Sequence, residues 1–196
     1  MIGAVKALSL HRRAVPPDGQ GGDLLARLPC GADQRRDLRD EPDRPWHSGV
    51  VNWLNHRFVT GLGGRAVVHL QNPTIVDRRS EPQPDLMLLE PRQDFYRTAH
   101  PTSDDAFLVV EVAHTSLPQD RRRKLPLYAR TGVREVWIVN RRADAVDVFR
   151  GPSRRGYRDH ARYERGQQVA PSVFPDLRLA VDDLLGPPPP GRAPEE

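Results

Sequence analysis

Three residues occupy positions where their chemistry is costly unless it is used. Asp85 opens the apolar run Pro84-Asp85-Leu86-Met87-Leu88-Leu89, and Glu111 lies inside Phe107-Leu108-Val109-Val110-Glu111-Val112. A carboxylate in an apolar strand is expensive to desolvate. It persists where a cation, a metal or a hydrogen-bond donor meets it. Either acid alone reads as well as a solvated edge residue or an ion-pair partner. If the two strands are neighbours, the carboxylates converge, and two like charges at one place call for a cation. Hard oxygen donors suit Mg2+ or Mn2+. Lys124 follows on the next helical stretch and is one of only two lysines, with Lys6, among 30 basic residues. An ammonium there can orient an attacking water or neutralise charge developing on a phosphate, which a bulky arginine fork does poorly. The simpler role for Lys124 is an i,i+4 pair with Asp120, worth a few tenths of a kcal/mol. Arg121-Arg122-Arg123 beside it reads equally as a phosphate contact or as a solvated helix face.

The elements that must position these residues follow from pattern. Val50, Val51, Leu54 and Phe58 fall at helical spacing from Trp46 onward, and Gly61, Gly63 and Gly64 end that helix. Arg65–Leu70 and Thr74–Asp77 read as strands, and the runs holding Asp85 and Glu111 as strands covered on both faces. Gln119–Thr131 reads as a helix limited or kinked by Pro126 and stopped by Gly132. Val133–Asn140 is a further strand, Ala145–Arg150 and Gly156–Tyr163 an edge hairpin, and Val181–Leu185 a terminal element. The order predicts an α/β fold, a mixed β-sheet flanked by helices. Residues 1–45, with Pro16-Pro17 and a mixed-charge run from Asp33 to Glu41, read as a weakly ordered or divergent N-terminal segment. A single domain is expected over 46–186, and 187–196 reads as a Pro-rich, extended tail.

Pro84-Asp85 followed by Glu111 is similar to the PD-(D/E)XK nuclease signature. More closely, residues 46–185 resemble the Uma-type family of restriction endonucleases. The matching segments are Pro82-Gln83-Pro84-Asp85, Leu108-Val109-Val110-Glu111-Val112, Asp120 through Lys124 to Tyr128, and Gly132-Val133-Arg134-Glu135-Val136-Trp137-Ile138-Val139. The resemblance implies a restriction-endonuclease-like core and metal-dependent cleavage of phosphodiester bonds in DNA. It implies Asp85 and Glu111 as ligands of Mg2+ or Mn2+ and Asp85, Glu111 and Lys124 as the catalytic set. The lysine two residues after the acid in the simplest signature is replaced here by Ala113. In the Uma-type pattern it comes from the following helix, which lands on Lys124. A family-like Glu-Leu-x-x-Gly-Glu hairpin is missing from residues 1–45. That segment is therefore expected to be divergent, or to come from a shifted reading frame or a misplaced start.

Composition narrows the field. The chain has 196 residues, 29% charged and 37% hydrophobic, with a net charge of +4. That excludes a membrane-spanning or wholly disordered protein and permits contact with DNA. Cys30 is the only cysteine, so a cysteine-cluster zinc site is excluded. No secretory h-region is present near the N-terminus, so a cytoplasmic protein is expected. His47, His56, His69, His100 and His160 lack zinc spacing; His47, near the helix start, could approach a substrate, but a surface role is the reading preferred for it. Glu111-x-x-His114 lacks the second copy a di-iron site needs. Two alternatives stay open: a catalytically inactive nucleic-acid-binding or interaction protein on the same fold, and a metal hydrolase of another phosphoester. A homodimer would suit cutting of both strands.

Overall fold

The computed structural model describes residues 44–75, 81–113 and 117–188. The chain divides into two units, Met1–Asp40 and Glu41–Glu196, and all described residues lie in the second. The expectations for the N-terminal segment and for the tail beyond 188 therefore lie almost wholly outside the described residues. Arg44 and Pro45 are the exception, because they already belong to the first helix, α1 (Arg44–Leu62). A proline in a first turn forfeits no helical bond, since that N–H has no partner inside the helix. Val50, Val51, Leu54, Phe58 and Leu62 of α1 are buried, and Gly63 and Gly64, at φ 55° and 87°, end it.

A six-stranded sheet follows in sequence order, β1 (Val67–Leu70), β2 (Leu86–Leu89), β3 (Ala106–Ala113), β4 (Glu135–Asn140), β5 (Ala145–Ser153) and β6 (Gly156–Glu164). Every neighbouring pair is antiparallel except β3 and β4, which run parallel. A parallel pair needs a crossover, and α2 (Leu117–Arg130) supplies it. The two-stranded pair β7 (Gln168–Val169) and β8 (Leu179–Ala180) and the short α3 (Val181–Leu185) complete the elements of the described residues.

Alternation along the strands builds two cores. Leu86, Leu88, Leu108, Val110, Val112, Trp137, Val139, Val146 and Val148 pack with the apolar stripe of α1 and with α3. Met87, Leu89, Val109, Ala113, Val136, Ile138 and Phe149 pack with Tyr128, Leu125 and Leu127 of α2. Helices thus cover both faces of the sheet, which is why β2 and β3 are nearly continuous apolar runs.

Several boundaries differ from expectation. The segment around Thr74 makes only an isolated bridge, Ile75 to Thr102, because Pro73 interrupts ladder pairing. Helix α2 starts at Leu117 and runs through Pro126, since one proline removes a single intrahelical bond without forcing the helix to end. The hairpin is edge-facing only on β6, whose central residues are exposed, whereas Ala145–Phe149 of β5 are buried between β4 and β6. Among the described residues, no helix is long and apolar enough to cross a membrane.

Candidate active site

Register brings the two acids together. Leu86 pairs with Val110 across the antiparallel β2–β3 ladder, so one further step sets Asp85 beside Glu111. Directly opposed residues share a face. Glu111 shares its face with Val109 and Ala113, toward α2. It is 9% exposed, and the same row continues to Ile138 on β4. The acids therefore sit at the carboxyl end of the parallel pair, where open α/β sheets place their ligands.

Helix α2 returns over that end and carries Lys124 and Tyr128 one turn apart. Lys124 Nζ donates to Glu111 Oε2 at 2.9 Å, and the Tyr128 hydroxyl donates to Oε1 at 2.7 Å. Lys124 thus pairs with the strand acid; the side chain of Asp120 lies outside the described residues. The Val112 N–H donates to Asp85 Oδ2 at 2.8 Å. His47, from the first turn of α1, lies 3.1 Å from Asp85 Oδ1 through Nε2. The surface role assigned to His47 is corrected here: α1 and the strand end meet, and the imidazole reaches the acid from the opposite face. No spacing rule links these two positions, so the sequence held no signal for the contact. Tyr128 was legible only as part of the apolar face of α2; its hydroxyl partner required the fold.

The electrostatics differ between the acids. Burial pushes Asp85 up, but the His47 hydrogen bond, the Val112 amide and the charges of His47 and Lys124 outweigh it and hold the carboxyl below its ordinary value. The Asp85 hydrogen bond in turn raises His47, against the desolvation that lowers it. For Glu111, burial dominates and the pKa rises despite Lys124 and Tyr128. Tyr128 is driven far up by its own burial and by the Glu111 charge, so its hydroxyl stays a donor.

The donor chemistry fits a hard dication. Each carboxylate oxygen accepts one of the hydrogen bonds above and keeps a second lone-pair direction. Mg2+ is held through one or two carboxylates while retaining waters and substrate oxygens. Among the described residues no group of three or more His, Cys, Asp or Glu is arranged to hold a metal, so the candidate donors are the two acids. Ala113, in place of the adjacent lysine, is buried against α2, and the ammonium comes from that helix instead.

Residues 38–182 match the family described as "Uma2: Putative restriction endonuclease", beginning eight residues before Trp46. No curated protein matches the sequence. Among solved structures, the chain is similar to a "putative nuclease belonging to DUF820" from Anabaena variabilis, at 15% identity and TM-score 0.55, covering 71% of this chain and 80% of that one. It overlaps the type IIG restriction endonuclease BpuSI at 19% identity and TM-score 0.38, over 57% of this chain and 12% of that one. The first likeness bears on fold alone. Together with the family match, the mixed sheet and helices on both faces give a restriction-endonuclease-like architecture.

Proposed function

The chain belongs to the Uma2 family of restriction-endonuclease-like proteins, and from that premise we propose that it is a metal-dependent endonuclease hydrolysing phosphodiester bonds in DNA. One observation carries the reading: Asp85, Glu111 and Lys124 meet at the carboxyl end of β3, with Lys124 2.9 Å from Glu111. Asp85 and Glu111 would hold Mg2+ or Mn2+. When bound, such a cation supplies positive charge to the non-bridging oxygens of the phosphodiester.

The chain's own groups do the rest. His47 and the Val112 amide keep Asp85 ionised and fix its orientation. Tyr128 fixes Glu111 from the buried side. Lys124 can orient a water for in-line attack and offset charge building on the phosphate. The Lys124 ammonium also offsets the burial that favours the neutral form of Glu111.

The test is supercoiled plasmid incubated with the purified chain and Mg2+ or Mn2+. Nicked and linear products are expected, with loss of at least a hundredfold in rate for Asp85→Ala, Glu111→Ala and Lys124→Ala, and complete loss with chelator. Cleavage that survives chelation or either acid substitution would overturn the reading.

A second reading has its own support. Lys124 and His47 already pair with the two acids, which neutralises the cluster internally. A catalytically inactive nucleic-acid-binding or interaction protein needs no more than that. It would retain DNA in a salt-dependent way with no turnover under any divalent ion, and calorimetry with Mn2+ would register no binding.

A further inference from the structure

We propose that β6 is a dimerisation edge, pairing antiparallel with β6 of a second copy of this chain about a centre at Ala161. The inference goes beyond the nuclease reading and uses none of its residues.

Among the described residues, β6 is the outer strand of the six-stranded sheet, with β5 as its one neighbour. It is nine residues long and holds a single register with β5, from Ser153 opposite Gly156 to Ala145 opposite Glu164. Arg158 through Arg162 are exposed, and Ala161 among them has only a methyl group to cover its backbone. An outer strand presents a row of unpaired N–H and C=O groups, and proteins commonly guard it with a short strand, a proline, lysines or a bulge. β6 has none of these. It carries charges of both signs instead, and their order decides which strand the edge admits.

Pairing with its own copy follows a two-fold axis, so every contact occurs twice. A centre at Ala161 sets Ala161 opposite itself, Arg158 opposite Glu164 and Asp159 opposite Tyr163. His160 then faces Arg162, and both are already held by the buried Asp147, each 3.0 Å from its Oδ1. Other centres fail on charge, because like charges directly opposed are unfavourable. A centre at His160 opposes Arg158 to Arg162, one at Arg162 opposes that arginine to itself, and one at Asp159 opposes that carboxylate to itself. Centres nearer either end leave most of the strand unpaired. Among the described residues, neither the Arg158 guanidinium nor the Glu164 carboxylate makes a hydrogen bond or ion pair, so the pairing would give both a partner, twice over. A seam of one strand pair lies at the small end of protein interfaces, so the dimer is expected to form in a concentration-dependent way.

The test is sedimentation of the full chain over a wide range of protein concentration. A monomer–dimer equilibrium is expected. Arg158→Glu and Glu164→Arg should each weaken it about tenfold, since each turns two opposite-charge pairs into two like-charge pairs. The double variant Arg158→Glu with Glu164→Arg should return to within about threefold of the unaltered chain, because the two changes couple across the seam. Ala161→Glu, which opposes a carboxylate to itself, should abolish the dimer. Amide hydrogen exchange along β6 should slow as the unaltered chain is concentrated, and should not slow in Ala161→Glu. Thermal unfolding checks folding, and Arg158→Gln and Glu164→Gln replace any reversed-charge variant that fails to fold. A monomer at every concentration overturns the inference. So does a dimer that the single variants leave intact, which would form through another surface, or a double variant as weak as the single ones. A monomer that cuts plasmid ends this inference alone; a dimer that behaves as expected but never cuts DNA supports it and ends the nuclease reading alone.

Discussion

His47 and Asp85 hold each other in opposite charge states across the end of the sheet. The hydrogen bond to Asp85 raises His47 above 6.5, and His47 with the Val112 amide lowers Asp85 below 3.8. A raised histidine contributes its stability in full below its unfolded value, and the contribution is lost as pH rises through the folded one. A depressed aspartate contributes above its unfolded value, and that is lost as pH falls through the folded one. The pair therefore stabilises the fold in the window between about 4 and 6.5, the two unfolded values. In chelator-treated protein, the His47 ring resonances should titrate with a midpoint above 6.5, and Asp85→Asn should lower that midpoint. A midpoint at or below 6.5, unmoved by the substitution, would mean that the contact does not form in solution. The visibility of the two residues differed for a physical reason. Asp85 announced itself because a charge beside an apolar run is costly, whereas a histidine at a helix start costs nothing and signals nothing.

Helix α2 decides whether the site exists, because it carries both groups that meet Glu111. Its position along the sheet is set at its carboxyl end. Val133 N–H donates to the Tyr128 carbonyl at 3.0 Å and Gly132 N–H to the Ala129 carbonyl at 3.3 Å, the paired bonds of a Schellman stop. Gly132 adopts φ 87°, a left-handed conformation that a side chain disfavours. A Cβ there would meet nothing within 4 Å, so the penalty is conformational rather than steric. Gly132→Ala is expected to cost about 1 kcal/mol in urea unfolding, and Gly132→Asn less. Because Tyr128 both closes this stop and donates to Glu111, fraying there should also weaken the site. The glycine stop was readable from composition. That the residue beside the stop also serves the acid was not, since it depends on which strand the helix crosses.

At the scale of the molecule, the fold is fastened at a point remote from the proposed chemistry. Glu135, at the opposite end of β4 from Arg141, is fully buried. It accepts from Trp137 Nε1 at 2.7 Å, from Arg150 at 2.8 Å and from the Ser172 N–H at 2.7 Å. Arg150 also donates to the Ala170 carbonyl at 3.1 Å. One carboxylate thus ties β4, β5 and the segment leading to β8. Removing a buried charge that leaves its partners stranded costs about 3–5 kcal/mol. Glu135→Ala should lose that much in urea unfolding, while Glu135→Gln, which keeps an acceptor, should lose less. A loss below about 1 kcal/mol for the alanine variant would show the cluster to be peripheral to stability. In the sequence Glu135 stood out only as one residue of a matching segment, because its partners come from three separate stretches.

What the sequence determined by itself was the local and periodic part. The apolar stripe of α1, the doubly covered runs of β2 and β3, the helix bearing Lys124 and the existence of a terminal element from Val181 to Leu185 all follow from pattern, because burial on one face imposes a period and burial on both faces an unbroken apolar run. The anomalous acids at 85 and 111 and the scarce lysine at 124 were visible for the same reason: each violates what its neighbours make cheap. Only the tertiary structure decided which groups share a face and a distance. It set Asp85 across from Glu111 through the β2–β3 register, brought His47 to Asp85 at the end of the sheet, turned the Tyr128 hydroxyl onto Glu111, and laid Arg141 against Trp46. Those pairings join positions far apart in the chain. Their geometry comes from strand pairing and helix packing, and no local preference of either residue encodes it.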